Sequence, residues 1–282
     1  MKTSEVFPGS SILIKGEIPC CSLLLIGPTG VGKTIFCKHF FYNGLKKNET
    51  CIYVTTSETP EEFELSMKNL GLDIRLFKEK NNMLIVDGCS WKLGKKSSSK
   101  FAVDGQHNYL TSMSIAINKA KKNLRNIRFI FDSISELAAL SDNASTINYI
   151  RSLTGKIRLE GGKAFFTVAT GAHDDHFMNL LRLTFDGILE MRLDDSGNEI
   201  KRLLRVFSLK GIKHKTLWIP FEITDNGIVL HNESQLRCTL CSKPITWEPI
   251  TKKIDGKELF FDTQDCLNTY EKFKSIYGND FT

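Results

Sequence analysis

No stretch of this chain is apolar for long enough to cross a bilayer; the longest such run, Ile18 to Ile26, is interrupted by Pro19 and Ser22. The N-terminal MKTSEVFPGSS lacks the basic-then-apolar order of a secretory signal, so a cytoplasmic protein is expected. Nor is the composition skewed. Hydrophobic residues at 41% and charged residues at 25% speak against disorder or a fibrous chain. The net charge is only +6, and the lysine-rich stretches (Lys95 and Lys96, Lys119 to Lys122, Lys210 to Lys215) have no aromatics between them. Solvated surfaces explain them better than a nucleic-acid groove, although nucleic acid stays open. There is no internal repeat. Of the eight cysteines, Cys20, Cys21, Cys37, Cys51 and Cys89 are scattered through apolar or strand-like contexts, and only Cys238, Cys241 and Cys266 cluster. That argues for a reduced compartment and one metal site rather than a disulfide framework.

What is present is a β/α alternation. The 282 residues suffice for one large domain and a small module; the change of pattern after His231 puts the domains at 1–231 and 232–282. Apolar S22-L-L-L-I-G27 reads as a buried strand, followed by a helix from Ile35 that stops at Gly44. C51-I-Y-V-T55 is a second strand, and Pro60 to Leu70 a helix with proline in its first turn and Gly71 past its end. N82-M-L-I-V-D87 is a third strand, and Ser90 to His107 an exposed loop. Leu110 to Lys122 is helical, R128-F-I-F-D-S133 a strand, Ser145 to Leu159 a helix and Lys163 to Thr170 a strand. Such alternation implies a mostly parallel sheet. From Gly187, three short strands (187–192, 202–209, 218–223), with turns at Asp195 to Asn198 and Asp225 to Gly227, look like hairpins extending that sheet.

The stretch between the first strand and helix, G27-P-T-G-V-G-K-T34, matches G-x-x-x-x-G-K-[ST] in full and in the right context. Gly27, Pro28, Thr29, Gly30, Val31 and Gly32 form a loop whose N–H groups converge on phosphates. Lys33 reaches the terminal phosphates and Thr34 offers its hydroxyl to Mg²⁺. The second metal partner in such sites is an acid at the tip of a neighbouring apolar strand, and Asp132 occupies that place.

Four segments, GPTGVGKTIFCKHFFYNGL, YVTTSETPEEF with NLGLD, FIFDSISEL, and LKGIKH with PFEITDNGIVL, together resemble the KaiC-like branch of the RecA-type ATPases over most of Ile12 to His231. The resemblance implies a RecA-like P-loop core, ATP with Mg²⁺, and rings, possibly hexameric, in which basic residues of one subunit touch a neighbour's nucleotide. Lys33, Thr34 and Asp132 match the pattern. Its paired acids fall on Ser57 and Glu58, so one acid remains as base, in addition to catalytic Lys33. Its late Lys-x-Arg-Gly falls on Ser208, Lys210 and Gly211, leaving a lysine where arginine would grip phosphate with a planar fork. Relatives carry Thr-Glu where Thr170 and Gly171 stand. These departures bear on turnover more than on binding. Glu58 reads as the base that orients water, favoured because its strand is expected beside the phosphate-loop strand, or else as a cap of the Pro60 helix or a solvated loop acid.

After Cys238 and Cys241, D255-G-K-E-L-F-F-D-T-Q-D-C266 reads as a hairpin strand running into a helix. Three thiols are one ligand short of a closed zinc site. The segment is similar to small treble-clef-like modules of the TRASH or YHS type, a likeness that puts Asp262 in the missing cysteine's place. Cys238, Cys241, Asp262 and Cys266 are therefore the expected Zn²⁺ ligands, with His231 the substitute for the fourth; packed thiols without metal are the alternative. Fifty residues rarely hold a sufficient core unaided, and the module's job reads as contact with a protein partner. For the whole chain three functions stay open: a slow ATP-driven switch in signalling, a motor on nucleic acid using Trp91 to Phe101, and a non-hydrolysing ATP-binding scaffold.

Overall fold

The computed structural model describes residues 10–14, 20–104, 108–122, 124–195, 200–224, 227–231, 237–243, 245 and 249–278. They fall into two compact units, Met1–His231 and Asn232–Thr282. The strands of the first are β1 (Ser22–Gly27), β2 (Cys51–Thr55), β3 (Met83–Asp87), β4 (Phe101–Ala102), β5 (Arg128–Asp132), β6 (Lys163–Ala169), β7 (Gly187–Asp194), β8 (Lys201–Leu209), β9 (Ile219–Thr224) and β10 (Gly227–Leu230). Its helices are α1 (Ser10–Leu13), α2 (Lys33–Lys46), α3 (Pro60–Asn69), α4 (Tyr109–Lys121), α5 (Ile134–Ala138), α6 (Asn143–Leu159) and α7 (Asp175–Leu183). The second unit has the hairpin β11 (Ile250–Ile254) and β12 (Lys257–Phe261), then α8 (Gln264–Tyr277).

All ten strands of the first unit form one sheet, ordered β10-β9-β8-β7-β1-β6-β5-β2-β3-β4. The pairs from β7 through β4 are parallel, and β8, β9 and β10 add to the β7 edge in antiparallel fashion, as the short late strands implied. β1 lies between β6 and β7, so the expectation that β2 neighbours the phosphate-loop strand is wrong; β6 and β5 separate them. All six residues of β1 are buried. Leu23 and Leu25 join Phe36, Phe40 and Phe41 of α2 and Phe63 of α3 in one apolar layer. Leu24 and Ile26 point the other way, into the layer of α4, α6 and α7. Period-two alternation thus covers both faces of one strand.

Gly44 does not end its helix: α2 continues to Lys46. A Cβ there would stand 2.5 Å from both Arg128 Cδ and Cys51 Sγ, so the glycine serves close packing of α2 on the sheet, not termination. The stretch from Ser90 is exposed over much of its length, as read, but it is tied back to the sheet. A 3-10 turn spans Ser90–Leu93, β4 pairs with β3, Ser97 donates to Asp87 Oδ2 at 2.5 Å, and Ser99 donates to the Ile85 carbonyl. Residues 105–107, and most of the turns at Asp195 to Asn198 and Asp225 to Gly227, lie outside the described residues. Among the described residues no helix is long and apolar enough to cross a membrane.

One buried group predicts a pH response. His39, on α2, is 3% exposed, and burial lowers its pKa to about 4. The unfolded chain takes up the proton near the ordinary value and the folded chain does so only near 4, so stability falls as pH drops through that window. The expected loss is about 3 kcal/mol. Urea unfolding at neutral and acid pH checks it: His39→Leu should show a correspondingly smaller drop than the wild type.

Candidate functional site

The loop from Gly27 to Gly32 turns between β1 and α2 because Gly30 and Gly32 take φ of +81° and +111°, open to glycine at little cost. Val31, fully buried, anchors the loop in the core, and Gly32 supplies no side-chain cap to α2. The first-turn amides of α2 are in the position that favours an anion. Lys33 Nζ donates to the carbonyls of Gly27 and Pro28 at 2.7 and 2.8 Å. Burial lowers its pKa, and Asp132 opposes that shift.

Asp132 ends β5 and is held from both sides. Tyr53 of β2 donates to Oδ2 at 2.8 Å, and Thr167 of β6 donates to Oδ1 at 2.5 Å. Its carbonyl accepts the Thr56 N–H and hydroxyl, and Thr56 Oγ1 in turn accepts the Ser133 N–H at 2.8 Å. Burial and then the adjacent Asp132 push the Tyr53 phenol well above its ordinary pKa, so it stays a donor. Thr34 opens α2 one residue after Lys33.

Glu58 does not cap α3. Thr59 does, in a capping box with Glu62. The Glu58 carboxylate instead faces α2, where Lys38 Nζ donates to both oxygens at 2.9 and 2.7 Å. Lys38 is 3% exposed and Glu58 28%, and the ammonium also sits 5.2 Å from the Phe63 ring centroid. Ser57 beside it is exposed. Lys210 Nζ donates to the Phe185 carbonyl at 2.8 Å within the same chain, Gly211 has a φ of +73°, and Thr170 donates its N–H to the Gly27 carbonyl at 3.0 Å. Lys38, Tyr53 and Thr167 were missed in the sequence. Each did carry a signal: a polar group inside an otherwise apolar helix face or strand.

In the second unit, Cys238, Cys241, Asp262 and Cys266 place one ligand atom each within 4.8 Å of one another. Cys241 Sγ lies 3.9 Å from Cys266 Sγ and 3.8 Å from Asp262 Oδ2. Two thiolates bound tetrahedrally at about 2.3 Å would stand about 3.8 Å apart, so the spacing fits a common ion. The knuckle is built by hydrogen bonds between Cys238 and residues 242 and 243, and Thr239 ties it to Phe260 of β12. Thr263 caps α8 and accepts the Cys266 N–H, which directs that thiol at the cluster. Hydrogen bonds from the Cys266 and Cys238 thiols hold the Asp262 pKa low. His231 belongs to the first unit, with Nε2 3.3 Å from Glu222; the described cluster is completed by Asp262.

A glycine loop at the end of β1, an acid at the end of β5 and this strand order make the first unit a RecA-type ATP-binding core. The chain belongs to the KaiC family of ATPases: the model for "ATPase: KaiC" matches residues 10–235. Similar proteins include the UPF0273 protein PH0284 of Pyrococcus horikoshii, 30% identical over 236 residues, covering 82% of this chain and 94% of that one. A UPF0273 protein of Thermotoga maritima is 28% identical over 226 residues, 79% of this chain and 93% of its own. Among solved structures, the KaiC-like protein PH0186 of Pyrococcus horikoshii superposes with a TM-score of 0.63 at 21% identity, over 82% of this chain and 98% of the other, a likeness of fold.

Proposed function

We propose that this ATPase binds ATP with Mg²⁺ and turns it over slowly, so that the nucleotide acts as a timed switch in a cytoplasmic ring of like subunits. The observation that carries the slow rate is the Lys38–Glu58 pair. A base that orients water must aim its carboxylate at that water, and here a buried ammonium binds both oxygens and holds the group toward α2. Turning the carboxylate away from Lys38 is the slow step in this reading. With nucleotide bound, Lys33 would exchange its two carbonyls for phosphate oxygens, and Thr34 and Asp132 would hold Mg²⁺, Asp132 with the lone pairs that Tyr53 and Thr167 leave over. Lys210 serves a neighbour's nucleotide as a point charge.

In the second unit the proposed ion is Zn²⁺, bound by Cys238, Cys241, Asp262 and Cys266. Three soft thiolates and one carboxylate in a closed tetrahedral set suit it as a structural ion. The folded module then offers a surface to a protein partner.

The segment that would favour a nucleic-acid motor is occupied: Lys92 Nζ donates to the Thr56 carbonyl at 2.6 Å and pairs with Glu136, and Trp91 packs 5.4 Å from the Tyr109 ring. Steady-state ATP turnover with and without single-stranded DNA or RNA tests the reading. A low rate above the Lys33→Ala background, unchanged by nucleic acid, is expected. Strong stimulation would support the motor, and a wild-type rate equal to that background would leave a scaffold.

A further inference from the structure

Two segments leave the sheet side by side, the turn after β5 and the end of β6, and one hydroxyl joins them. Ser135 Oγ accepts the Ala169 N–H at 2.9 Å and lies 3.0 Å from His173 Nε2. The oxygen keeps a second lone pair, so the tautomer sets the direction of the contact: with the neutral ring protonated on Nδ1, the Ser135 hydroxyl donates to Nε2. Burial lowers the His173 pKa against the opposing pull of Asp174, which keeps the ring neutral. The ring packs on Phe177 with centroids 4.6 Å apart. The same stretch of β6 reaches the nucleotide loop through Thr170 and Gly27, and Asp132 through Thr167. Gly27, Thr167, Ala169, Ser135 and Asp132 are thus members of one network, with His173 at its end.

We propose that His173 is a positioning residue for ATP hydrolysis: by accepting the Ser135 hydroxyl proton it fixes the end of β6 against Asp132 and the phosphate loop. The inference rests on the hydrolytic reading above. A proton can reach the ring, because His173 lines a cavity of about 490 Å³ together with Thr170, Asp175, Arg182 and Glu190. The charged groups around it are Asp174 beside it in the chain and Asp175, Arg182 of α7 and Glu190 of β7 on the same cavity, with Glu136 next to Ser135 in α5. Arg182 is paired with Glu190, and Glu136 with Lys92. Imidazolium can no longer accept from Ser135 and can only donate to its oxygen, so acid reverses the link and releases the Ser135 proton.

The test is ATP turnover from about pH 5.5 to 8.5 for wild type, His173→Ala, His173→Asn and Lys33→Ala. His173→Ala should lower kcat about tenfold with KM for ATP within about twofold, the signature of lost positioning rather than lost binding. His173→Asn, whose Oδ1 accepts the same proton, should recover most of the rate and lack the acid-side fall of the wild type. A wild-type kcat in His173→Ala overturns the inference alone, as does an Asn variant no better than Ala or one that keeps the full acid-side fall. A wild-type enzyme no faster than Lys33→Ala overturns this inference and the hydrolytic reading together. If the Ala variant does not fold, the pH profile of the Asn variant decides.

Discussion

Replacing Glu58 with Gln is expected to cost about 2 to 3 kcal/mol of stability, because it leaves the Lys38 ammonium buried without its counter-charge. Breaking a buried pair costs more than this when nothing remains; here the amide oxygen still accepts one hydrogen bond and Glu58 is itself 28% exposed, so the figure is discounted. The same substitution should slow ATP turnover about a hundredfold, the usual order for removing a general base. Both effects have one source in space and two in chemistry, and a second variant separates them. In Lys38→Met with Glu58→Gln, an apolar side chain replaces the ammonium beside Phe63, and stability should return to within about 1 kcal/mol of the wild type. Turnover should not return. Lys38→Met alone, with the carboxylate released, should turn over ATP faster than the wild type unless unfolding intervenes. Urea titration and steady-state rates on the four proteins give the answer; a double variant as fast as the wild type removes Glu58 from the mechanism.

Withdrawing metal should unfold the second unit and spare the first. The buried core of Asn232–Thr282 among the described residues is small: Cys238, Ile245, Phe261, Leu267 and Tyr270, with Phe261 and Tyr270 packed edge to face at 5.3 Å. A unit of about fifty residues seldom outweighs its chain entropy with so few apolar side chains. Zinc binding to such a module contributes on the order of 10 kcal/mol, which is folding energy when no site exists in the unfolded chain. One zinc per chain is therefore expected by elemental analysis. A strong chelator, or Cys238→Ser, should expose residues beyond 231 to protease and reduce helix signal by the share of α8, with ATP binding unaltered. Protein that contains no metal and still resists cleavage there would show that the thiols serve packing alone.

The glycine loop, the strand before it and the helix after it were legible because local rules specify them: a buried apolar run, residues that permit positive φ, and a helix start follow one another within the sequence itself. The same holds for Asp132 at a strand tip and for the late hairpins, whose alternating pattern places one face inward. Gly44 was misread as a stop because a glycine at a helix end and a glycine pressed against Arg128 look alike in one dimension. Ser90 to His107 is exposed over much of its length, as read, and what the sequence did not show is that Ser97 and Ser99 bond back to Asp87 and Ile85 of β3.

The cluster of three cysteines and Asp262 shows the division well. Spacing along the chain put Cys238 and Cys241 near one another and the resemblance named Asp262 and Cys266, and the run of β12 into α8 brings those two within reach of the first pair. Glu58 shows it better. Its place after β2 is a fact of sequence, and so is the loss of its acidic neighbour to Ser57. That two strands stand between β2 and β1, and that Lys38 turns inward to take both carboxylate oxygens, are facts of packing. Strand order and side-chain pairing arise from contacts between residues far apart in the chain, which no local pattern encodes, and at this site those contacts decide which group Glu58 faces.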